Sequence, residues 1–524
     1  MKCEAGYLVR RAAEQFGNRT ALTFNGSNFS FVEINCKANR LGSALRRLGL
    51  NIGDRVGVLA YNSPELLTCW FGCEKFGLVR TVLHSHIEFR AQVKLLNQIG
   101  AAALIFDARF APQLEEHRAG LVTVRHLIAI GDVCPSWASS FEEIEKLGSA
   151  EDPRLDIDED APCFLQLTSG TTGDPKPWIK TYRSWLSVIL QNVIHFDSFG
   201  NAPRISSEDV NLHVHALQSS SGFKTLYPYF IRGARTVIQN DQIFDAAKVV
   251  DLLVVEKVTG TLLHGRMLPA LLEAAEARRD AKFSLQRVVV SLATPELLTR
   301  MTDVFGPVWC HSYGSTELGS VITRLLATDV DPPSKRMSSL GRVAAPLVEI
   351  AIVDPSGRRL PANVPGEIVT RGPMSQGGYW GAQPDRKDAL AEQDWFKSGD
   401  IGYLDEDGFL FLEDRALDVI RLPGDIAVYP HRVEKALLAH HGVANCGVVA
   451  DPSRGQTEVV GVVQLKQGLE PSDNLELEII SVAASHLSEH ERPKRLIFME
   501  ELPTVHGGAK VRRGALRKLL EERQ

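Results

Sequence analysis

The sequence predicts an α/β protein. A large N-terminal domain of mostly parallel sheets with helices on their faces carries a small β-subdomain, and a small α+β domain follows it. Three observations predict this. Short, almost continuously apolar runs such as Arg55-Val-Gly-Val-Leu-Ala and Val288-Val-Val-Ser alternate with stretches of helical period, the pattern of strands buried on both faces. The texture changes near residue 340 to Gly/Pro-rich turns with short strands, and changes again near 416. At 524 residues the chain is also too long for a single hydrophobic core. The boundary is placed between residues 416 and 417, giving domains 1–416 and 417–524.

Taken in order, Ala21-Leu-Thr-Phe reads as a strand, and Phe31 to Leu48 has apolar residues at helical spacing. After the strand at Arg55, Asn62 or Ser63 can cap a helix that has Pro64 in its first turn and Gly77 just past its end. Val79-Arg-Thr-Val-Leu, Ala103-Leu-Ile-Phe and Leu127-Ile-Ala-Ile are further short strands. The acidic stretch Glu151 to Asp160 reads as a linker. Beyond it, Thr236-Val-Ile, Val258-Thr-Gly-Thr-Leu-Leu and Val288-Val-Val-Ser are strands, with helices near 245–256 and 267–278. Val348-Glu-Ile-Ala-Ile-Val-Asp and Gly366-Glu-Ile-Val-Thr-Arg belong to the β-subdomain. Helices 431–439 and 474–489 and strands 446–450, 458–466 and 495–499 make the last unit.

Composition bounds the function. The chain is 44% hydrophobic and 23% charged with a net charge of −6, an ordinary globular balance that gives no reason to expect nucleic-acid or anionic-membrane binding. The start lacks an apolar segment of signal-peptide length, and no run of about 18 apolar residues occurs, so no membrane span and a cytoplasmic location are expected. Eight scattered cysteines form no Cys-x-x-Cys pair and read as free thiols.

Chemistry concentrates in Leu167-Thr-Ser-Gly-Thr-Thr-Gly-Asp-Pro-Lys176. Gly170 and Gly173 let backbone N–H groups approach an anion, while Thr168, Ser169, Thr171 and Thr172 add short donors and Lys176 adds a mobile positive charge. Such a loop suits the phosphates of a nucleotide. It is not a Walker loop, because G-x-x-x-x-G counted from Gly170 lands on Pro175. By composition alone a solvated turn is the favoured reading. A second run, His311-Ser-Tyr-Gly-Ser-Thr-Glu317, follows the apolar Val308-Trp-Cys and so lies at a strand's C-terminal end, where ligand sites gather in open α/β sheets. Tyr313 offers a flat face for a purine, and Glu317 a hard oxygen ligand for Mg²⁺ beside phosphates.

The first run resembles, nearly letter for letter, the phosphate-binding signature of the adenylate-forming superfamily: acyl-CoA synthetases, peptide-synthetase adenylation domains and luciferases. One departure is Pro177, where that family has Gly. The second run resembles the family's adenine- and magnesium-binding segment. The resemblance implies that Tyr313 stacks on adenine, that Gly314, Ser315 and Thr316 line the nucleotide, and that Glu317 binds Mg²⁺. Ser291-Leu-Ala-Thr-Pro295 stands where the family has Gly-Gly-Ala-Pro-Leu, so Ala293 and Thr294 would face the nucleotide and Ser291 the acid. Both glycines are replaced, and side chains are expected to fill space that the family leaves open. Leu212 to Phe223 resembles the segment with the family's pocket histidine. That position is Ser219 here, flanked by His213 and His215, with Ser220 and Gly222 completing the pocket. Asp400, in a segment matching the family from Trp395 to Phe409, would accept the ribose hydroxyls together with Arg415.

The resemblance also implies a mobile C-terminal domain. The hinge position is Leu417, followed by Asp418; the family's next lysine appears as Arg421; and the loop from Gly424 to Pro430 has one extra residue. Lys510, between a strand and the final helix, occupies the place of the catalytic lysine, with Arg512 and Arg513 as alternatives. The implied activity uses ATP and Mg²⁺ to adenylate a small carboxylic acid, with Thr172, Glu317, Arg421 and Lys510 as catalytic residues. Transfer to a thiol, coenzyme A foremost, follows. The departures keep other acceptors open: an amine, or nitrite activation that diazotises an aryl amine. A nucleotide-binding protein without turnover is disfavoured, since Lys510 and Glu317 are both present. Either a monomer or a homodimer is expected.

Overall fold

The structure, a computed structural model, describes residues 5–522 apart from 86, 169–175, 218, 240–242, 279, 316, 319–320, 331–333, 344–346, 376, 382–393, 425, 452–456 and 506–509. The chain divides into two compact units, residues 1–349 with 370–396, and residues 350–369 with 397–524.

The first unit runs α1 (Ala5–Phe16), β1 (Thr20–Phe24), β2 (Ser27–Ser30), α2 (Phe31–Arg47), β3 (Arg55–Leu59), α3 (Pro64–Lys75), β4 (Val79–Val82), α4 (Phe89–Ile99), β5 (Ala101–Asp107), α5 (Ala111–His117), β6 (His126–Ile130), β7 (Ser139–Ser140), α6 (Phe141–Lys146), β8 (Pro162–Thr168) and β9 (Lys176–Thr181). It continues with α7 (Tyr182–Asp197), β10 (Val210–His213), α8 (Ser220–Phe230), β11 (Arg235–Ile238), α9 (Ala246–Val255), β12 (Gly260–His264), α10 (Leu268–Glu276), β13 (Arg287–Ser291), α11 (Pro295–Phe305), β14 (Trp309–Tyr313), β15 (Thr323–Leu326) and β16 (Arg342–Val343). One sheet has the order β7-β6-β5-β3-β4-β8-β9 and is parallel up to the antiparallel pair β8–β9. The other has the order β16-β15-β14-β13-β12-β10-β11-β1-β2, parallel from β14 to β1 and antiparallel at both ends. The expected α/β class with mostly parallel sheets is therefore the observed one.

Local chemistry sets the elements. Ser30 caps α2 in a capping box, its Oγ accepting from Glu33 N at 3.2 Å while Ser30 N donates to Glu33 Oε2 at 2.7 Å. Of the two candidates before α3, Ser63 is the cap, accepting from Leu66 N at 3.1 Å ahead of Pro64. The acidic stretch before β8 is anchored at its start, where Asp152 accepts from Asn35 Nδ2 at 2.9 Å and from the buried Lys75.

The second unit contains nearly all of the four-stranded sheet β17 (Glu349–Val353), β18 (Gly366–Arg371), β19 (Phe396–Leu404), β20 (Leu410–Arg415), the β-subdomain expected from about 340. The hairpin β21 (Ile420–Leu422), β22 (Ile426–Val428) follows, then α12 (Pro430–Leu438), β23 (Val443–Asp451), β24 (Glu458–Leu465), α13 (Asp473–Ala484), β25 (Arg495–Phe498), the pair β26 (Thr504–Val505), β27 (Lys510–Val511), and α14 (Arg513–Glu522). α13 stops five residues short of the expected end, and a 3₁₀ turn, Glu489–Glu491, follows. Strands β23-β24-β25 alternate their side chains between two cores. Val448, Val459 and Val463 pack on Val433 and Leu437 of α12 and Ile479 of α13, while Val449 and Val462 pack with Leu516 of α14.

A buried carboxylate ties the first unit together. Glu74 of α3 is fully buried and accepts from Trp185 Nε1 of α7 at 2.5 Å and from the Tyr227 hydroxyl of α8 at 2.5 Å. Its backbone oxygen accepts from the Tyr182 hydroxyl at 2.8 Å. The opposing charge is Arg80 of β4, whose guanidinium lies 4.4 Å from the Trp70 ring centre and 4.1 Å from that of Phe164. Burial pushes the Glu74 carboxyl up, and Arg80 and the two donors pull it back. Removing the carboxyl strands the buried Trp185 and Tyr227 donors, at about 1–3 kcal/mol for each. Glu74→Ala is therefore expected to destabilise the protein by that amount in chemical denaturation, and a loss below about 1 kcal/mol would show the network to be incidental.

Candidate functional site

The parallel strands of the nine-stranded sheet end together. His264 at the end of β12 pairs with Ser291 at the end of β13, and Val290 pairs with His311, two residues before the end of β14 at Tyr313. His213 ends β10. The carboxyl edge of this sheet thus presents His213, His264, Ser291 and Tyr313, the edge where open α/β sheets bind ligands. Asn62, just beyond β3 of the other sheet, holds the loop after His213. Its Nδ2 donates to the His215 and Gln239 carbonyls at 2.7 and 3.2 Å, and its Oδ1 accepts from Leu217 N at 2.8 Å.

His215 Nε2 donates to the Leu262 carbonyl at 2.9 Å, and its ring centre lies 4.5 Å from that of His264 and 6.4 Å from that of His213. His264 Nδ1 and Ser291 Oγ share a hydrogen bond of 2.5 Å. Burial drives His213 down to about 4 and His215 to about 3, so both are neutral near pH 7. Ser219 is the residue before α8, and its hydroxyl donates to the Ala216 carbonyl at 2.7 Å. Ser220 opens that helix. Gly222 lies so close to Leu217 that a Cβ would stand 2.1 Å from the Leu217 oxygen, which explains the glycine.

On the nucleotide side, Thr168 ends β8 directly opposite the exposed Lys176 of β9. Ser169, Gly170, Thr171, Thr172 and Gly173, and likewise Thr316, lie outside the described residues. Tyr313 is 7% exposed, Gly314 follows it, and Ser315 Oγ accepts from Leu318 N at 3.3 Å. Glu317 is braced from two sides. The Tyr379 hydroxyl donates to its Oε1 at 3.0 Å, and the Lys180 ammonium donates to its backbone oxygen and to the Met374 carbonyl at 2.6 Å. No bond to Glu317 Oε2 is present among the described residues. A single carboxylate with an open oxygen fits Mg²⁺, which keeps waters and shares substrate phosphates.

Lys180 and Tyr379 carry no signal in the sequence. Lys180 sits between Ile179 and Thr181 like a strand surface residue, yet it is 1% exposed, and burial pushes its ammonium down to about 7 against the pull of Glu317.

The segment after β13 departs from one expectation. Leu292 has φ +59°, a conformation natural to glycine, and its side chain is 81% exposed. The replaced glycine therefore keeps its backbone turn and sends its new side chain to solvent, while the Ser291 hydroxyl bonds His264. Ala293 N donates to His311 Nε2 at 3.4 Å, and Thr294 caps α11, its Oγ1 accepting from Leu297 N at 3.4 Å.

In the second unit Asp400 and Arg415 face each other across β19–β20, with an ion pair of 2.9 Å. Asp400 is 6% exposed and its N–H donates to Ser398 Oγ at 3.1 Å. Arg421 is exposed on β21, and Leu417 is 70% exposed. Arg513 is committed to structure: it meets Asp414 at 2.6 Å, Asp418 at 3.1 Å and Glu434 at 2.7 Å. That removes one alternative to Lys510, whose backbone lies in β27.

Lys180→Met would leave two buried carbonyls without a donor, at about 1–3 kcal/mol each, and would free the backbone of Glu317. The expected result is a melting temperature lowered in thermal denaturation. An unchanged melting temperature would show that both carbonyls find other donors.

Known proteins extend this picture. The profile of the AMP-binding enzyme family matches residues 9–380, and that of the AMP-binding enzyme C-terminal domain matches residues 432–508. A long-chain-fatty-acid–CoA ligase of Thermus thermophilus is 28% identical over 523 residues, covering 98% of this chain and 94% of its own. The crystal structure of the anthranilate CoA ligase AuaEII with anthranoyl-AMP superposes with a TM-score of 0.84 at 22% identity, over 99% of this chain and 98% of that one. The amide bond synthetase McbA of Marinactinospora thermotolerans gives a TM-score of 0.81 at 23% identity, over 98% and 99%. The two matched regions place the chain in the AMP-binding enzyme family.

Proposed function

We propose that the chain is an ATP-dependent, AMP-forming acid–thiol ligase that adenylates a small carboxylic acid and passes the acyl group to coenzyme A. The observation that carries this reading is the match to a CoA ligase over 98% of this chain and 94% of that one, together with the AMP-binding enzyme match over residues 9–380. A carboxylate oxygen attacks the α-phosphorus of ATP, the bond to the β-phosphate oxygen breaks, and pyrophosphate leaves. The thiol sulfur then attacks the acyl carbon, AMP leaves, and the thiol proton goes to solvent. Negative charge grows on the phosphoryl oxygens in the first step, so catalysis is mostly positioning and neutralisation. A Mg²⁺ ion held by Glu317 supplies part of that neutralisation.

Thr168, Ser169, Gly170, Thr171, Thr172, Gly173 and Lys176 hold the phosphates in this reading. Tyr313 through Thr316, with Ala293 and Thr294, surround the adenosine, and Asp400 with Arg415 receives the ribose. Arg421 and Lys510 act from the C-terminal domain, residues 417–524, which alternates between the two half-reactions. A cytoplasmic location belongs to the same reading. A second reading, an amine acceptor, draws support from the fold shared with an amide bond synthetase and from Leu417 and the longer 424–430 loop. A pyrophosphate-release screen over carboxylic acids and nitrite, with and without CoA, separates the readings.

Glu317→Gln keeps the carboxamide's shape and removes the charge. Mg²⁺-dependent pyrophosphate release is expected to fall about 100-fold or more, with the fold intact by circular dichroism. Near wild-type release would remove Glu317 from the metal site.

Lys510→Ala is expected to cripple adenylation and spare acyl transfer. Chemically made acyl-adenylate plus CoA should yield thioester at near the wild-type rate, while ATP plus free acid yields almost none. Equal damage to both half-reactions would make Lys510 a residue of general affinity. No thioester from the adenylate even with wild-type protein would point to another acceptor.

A further inference from the structure

One short segment of the first unit, Gly377-Gly378-Tyr379-Trp380, joins Glu317 to β9. β9 is the last strand of its sheet, and the segment lies antiparallel along its outer edge. Ile179 N donates to the Gly378 carbonyl at 2.9 Å and Trp380 N to the Pro177 carbonyl at 2.8 Å, with Trp178 paired to Tyr379 between them. The Tyr379 ring meets the Trp178 ring edge-on, with centres 4.9 Å apart, and Trp178 is buried. A Cβ on residue 377 would stand 2.1 Å from the Ile179 oxygen, so the close approach requires the glycine. Backbone and ring of Tyr379 are thus both fixed by β9, the strand that begins at Lys176 opposite Thr168.

From this frame the Tyr379 hydroxyl donates to Glu317 Oε1 at 3.0 Å. The last torsion of a glutamate has no sharp minimum, so an unheld carboxylate swings. A donor on one oxygen stops the swing. The kind of donor matters as well. A guanidinium or ammonium would partly neutralise the carboxylate, whereas a phenolic hydroxyl holds it and leaves its charge. The Lys180 ammonium donates instead to backbone oxygens, those of Glu317 and Met374. Mg²⁺ demands near-ideal octahedral geometry, and groups that orient a ligating carboxylate raise metal affinity.

We propose that Tyr379 is a positioning residue for the metal: it presets the Glu317 carboxylate for Mg²⁺, and the 377–380 segment keys that setting to β9. The proposal rests on the reading of Glu317 as the Mg²⁺ ligand of an ATP-dependent adenylating enzyme. It gives a task to a tyrosine whose ring is already anchored by Trp178 and whose hydroxyl the packing does not need.

The test is calorimetric titration of the full chain with MgATP and with metal-free ATP, no acid being present. Tyr379→Phe removes one oxygen and keeps the ring on Trp178. It is expected to weaken MgATP binding about fivefold or more, within the value of one hydrogen bond to a charged group, and metal-free ATP less than about twofold. Glu317→Ala leaves no carboxylate to orient, so adding Tyr379→Phe to it should cost nothing further. MgATP binding by Tyr379→Phe at the wild-type level would overturn the proposal. So would equal weakening of both forms of ATP, an equal further loss in the Glu317→Ala background, or a Tyr379→Phe protein that does not fold, each of which makes the hydroxyl a purely structural group. Glu317→Ala protein that binds MgATP as tightly as the wild type would overturn the metal reading of Glu317, and this inference with it, while nucleotide binding stands. Wild-type protein that binds neither form of ATP would overturn the adenylation reading itself.

Discussion

The geometry of the candidate site depends on the buried carboxylate of Glu74. Its three neighbours come from elements with different duties. Arg80 belongs to β4 of the seven-stranded sheet, Trp185 to α7, and Tyr227 to α8, which follows β10 of the other sheet. A carboxylate in a dry interior tolerates no missing donor, so the positions of α7 and α8 are fixed together. Those helices carry His195 and Lys224, and the loop into α8 carries Ser219. A hydrophobic contact of the same area would tolerate sliding by a fraction of a side chain, whereas directional bonds of 2.5 Å do not. The cost of burying charge thus goes into register, which a pocket assembled from four strand ends requires.

A second constraint operates at the sheet edges. Loops leaving parallel strands have unpaired backbone groups, and here side chains from elsewhere take them up. Asn62 holds the carbonyls of His215 and Gln239 and the N–H of Leu217, and Lys180 holds the carbonyls of Glu317 and Met374. Each is a buried polar residue whose donors are spent on backbone. Both therefore set where the backbone of a strand-end loop lies.

Much of this was legible in the sequence, for a physical reason. A parallel strand buried on both faces must be continuously apolar, so Arg55–Leu59 and Arg287–Ser291 declare themselves, and a helix start such as Ser63-Pro64 is a local event. The runs Leu167–Lys176 and Tyr313–Glu317 stand out in the sequence because their chemistry is contiguous. The histidine cluster is not contiguous. His213 and Ser291 are far apart in the chain, and only the register of β12 with β13 brings His264 to Ser291. Lys180 carries no such signal, because sequence period says which face a residue occupies and nothing of what covers that face. The assignment of residues 350–369 to the second unit is likewise invisible locally, since it follows from pairing between strands far apart in the chain.

The turn after β13 shows how such a site changes without losing its frame. Residue 265 is glycine because a Cβ there would stand 1.8 Å from the Leu292 oxygen, so the two strand ends are pressed together. That closeness keeps Leu292 at φ +59°, at a cost of about 1–2 kcal/mol for an L-residue in the left-handed region. The backbone cannot relax without driving the 292 carbonyl into β12 or breaking the pairing of His264 with Ser291. Since the turn is fixed by its neighbour, the side chain at 292 is released outward, and its exposure of 81% follows. Ser291, one residue earlier and still in register, is instead held inward against His264. Two adjacent departures from one pattern thus act in opposite ways: one adds an exposed apolar side chain, and the other adds a hydroxyl bonded to His264 at the strand ends.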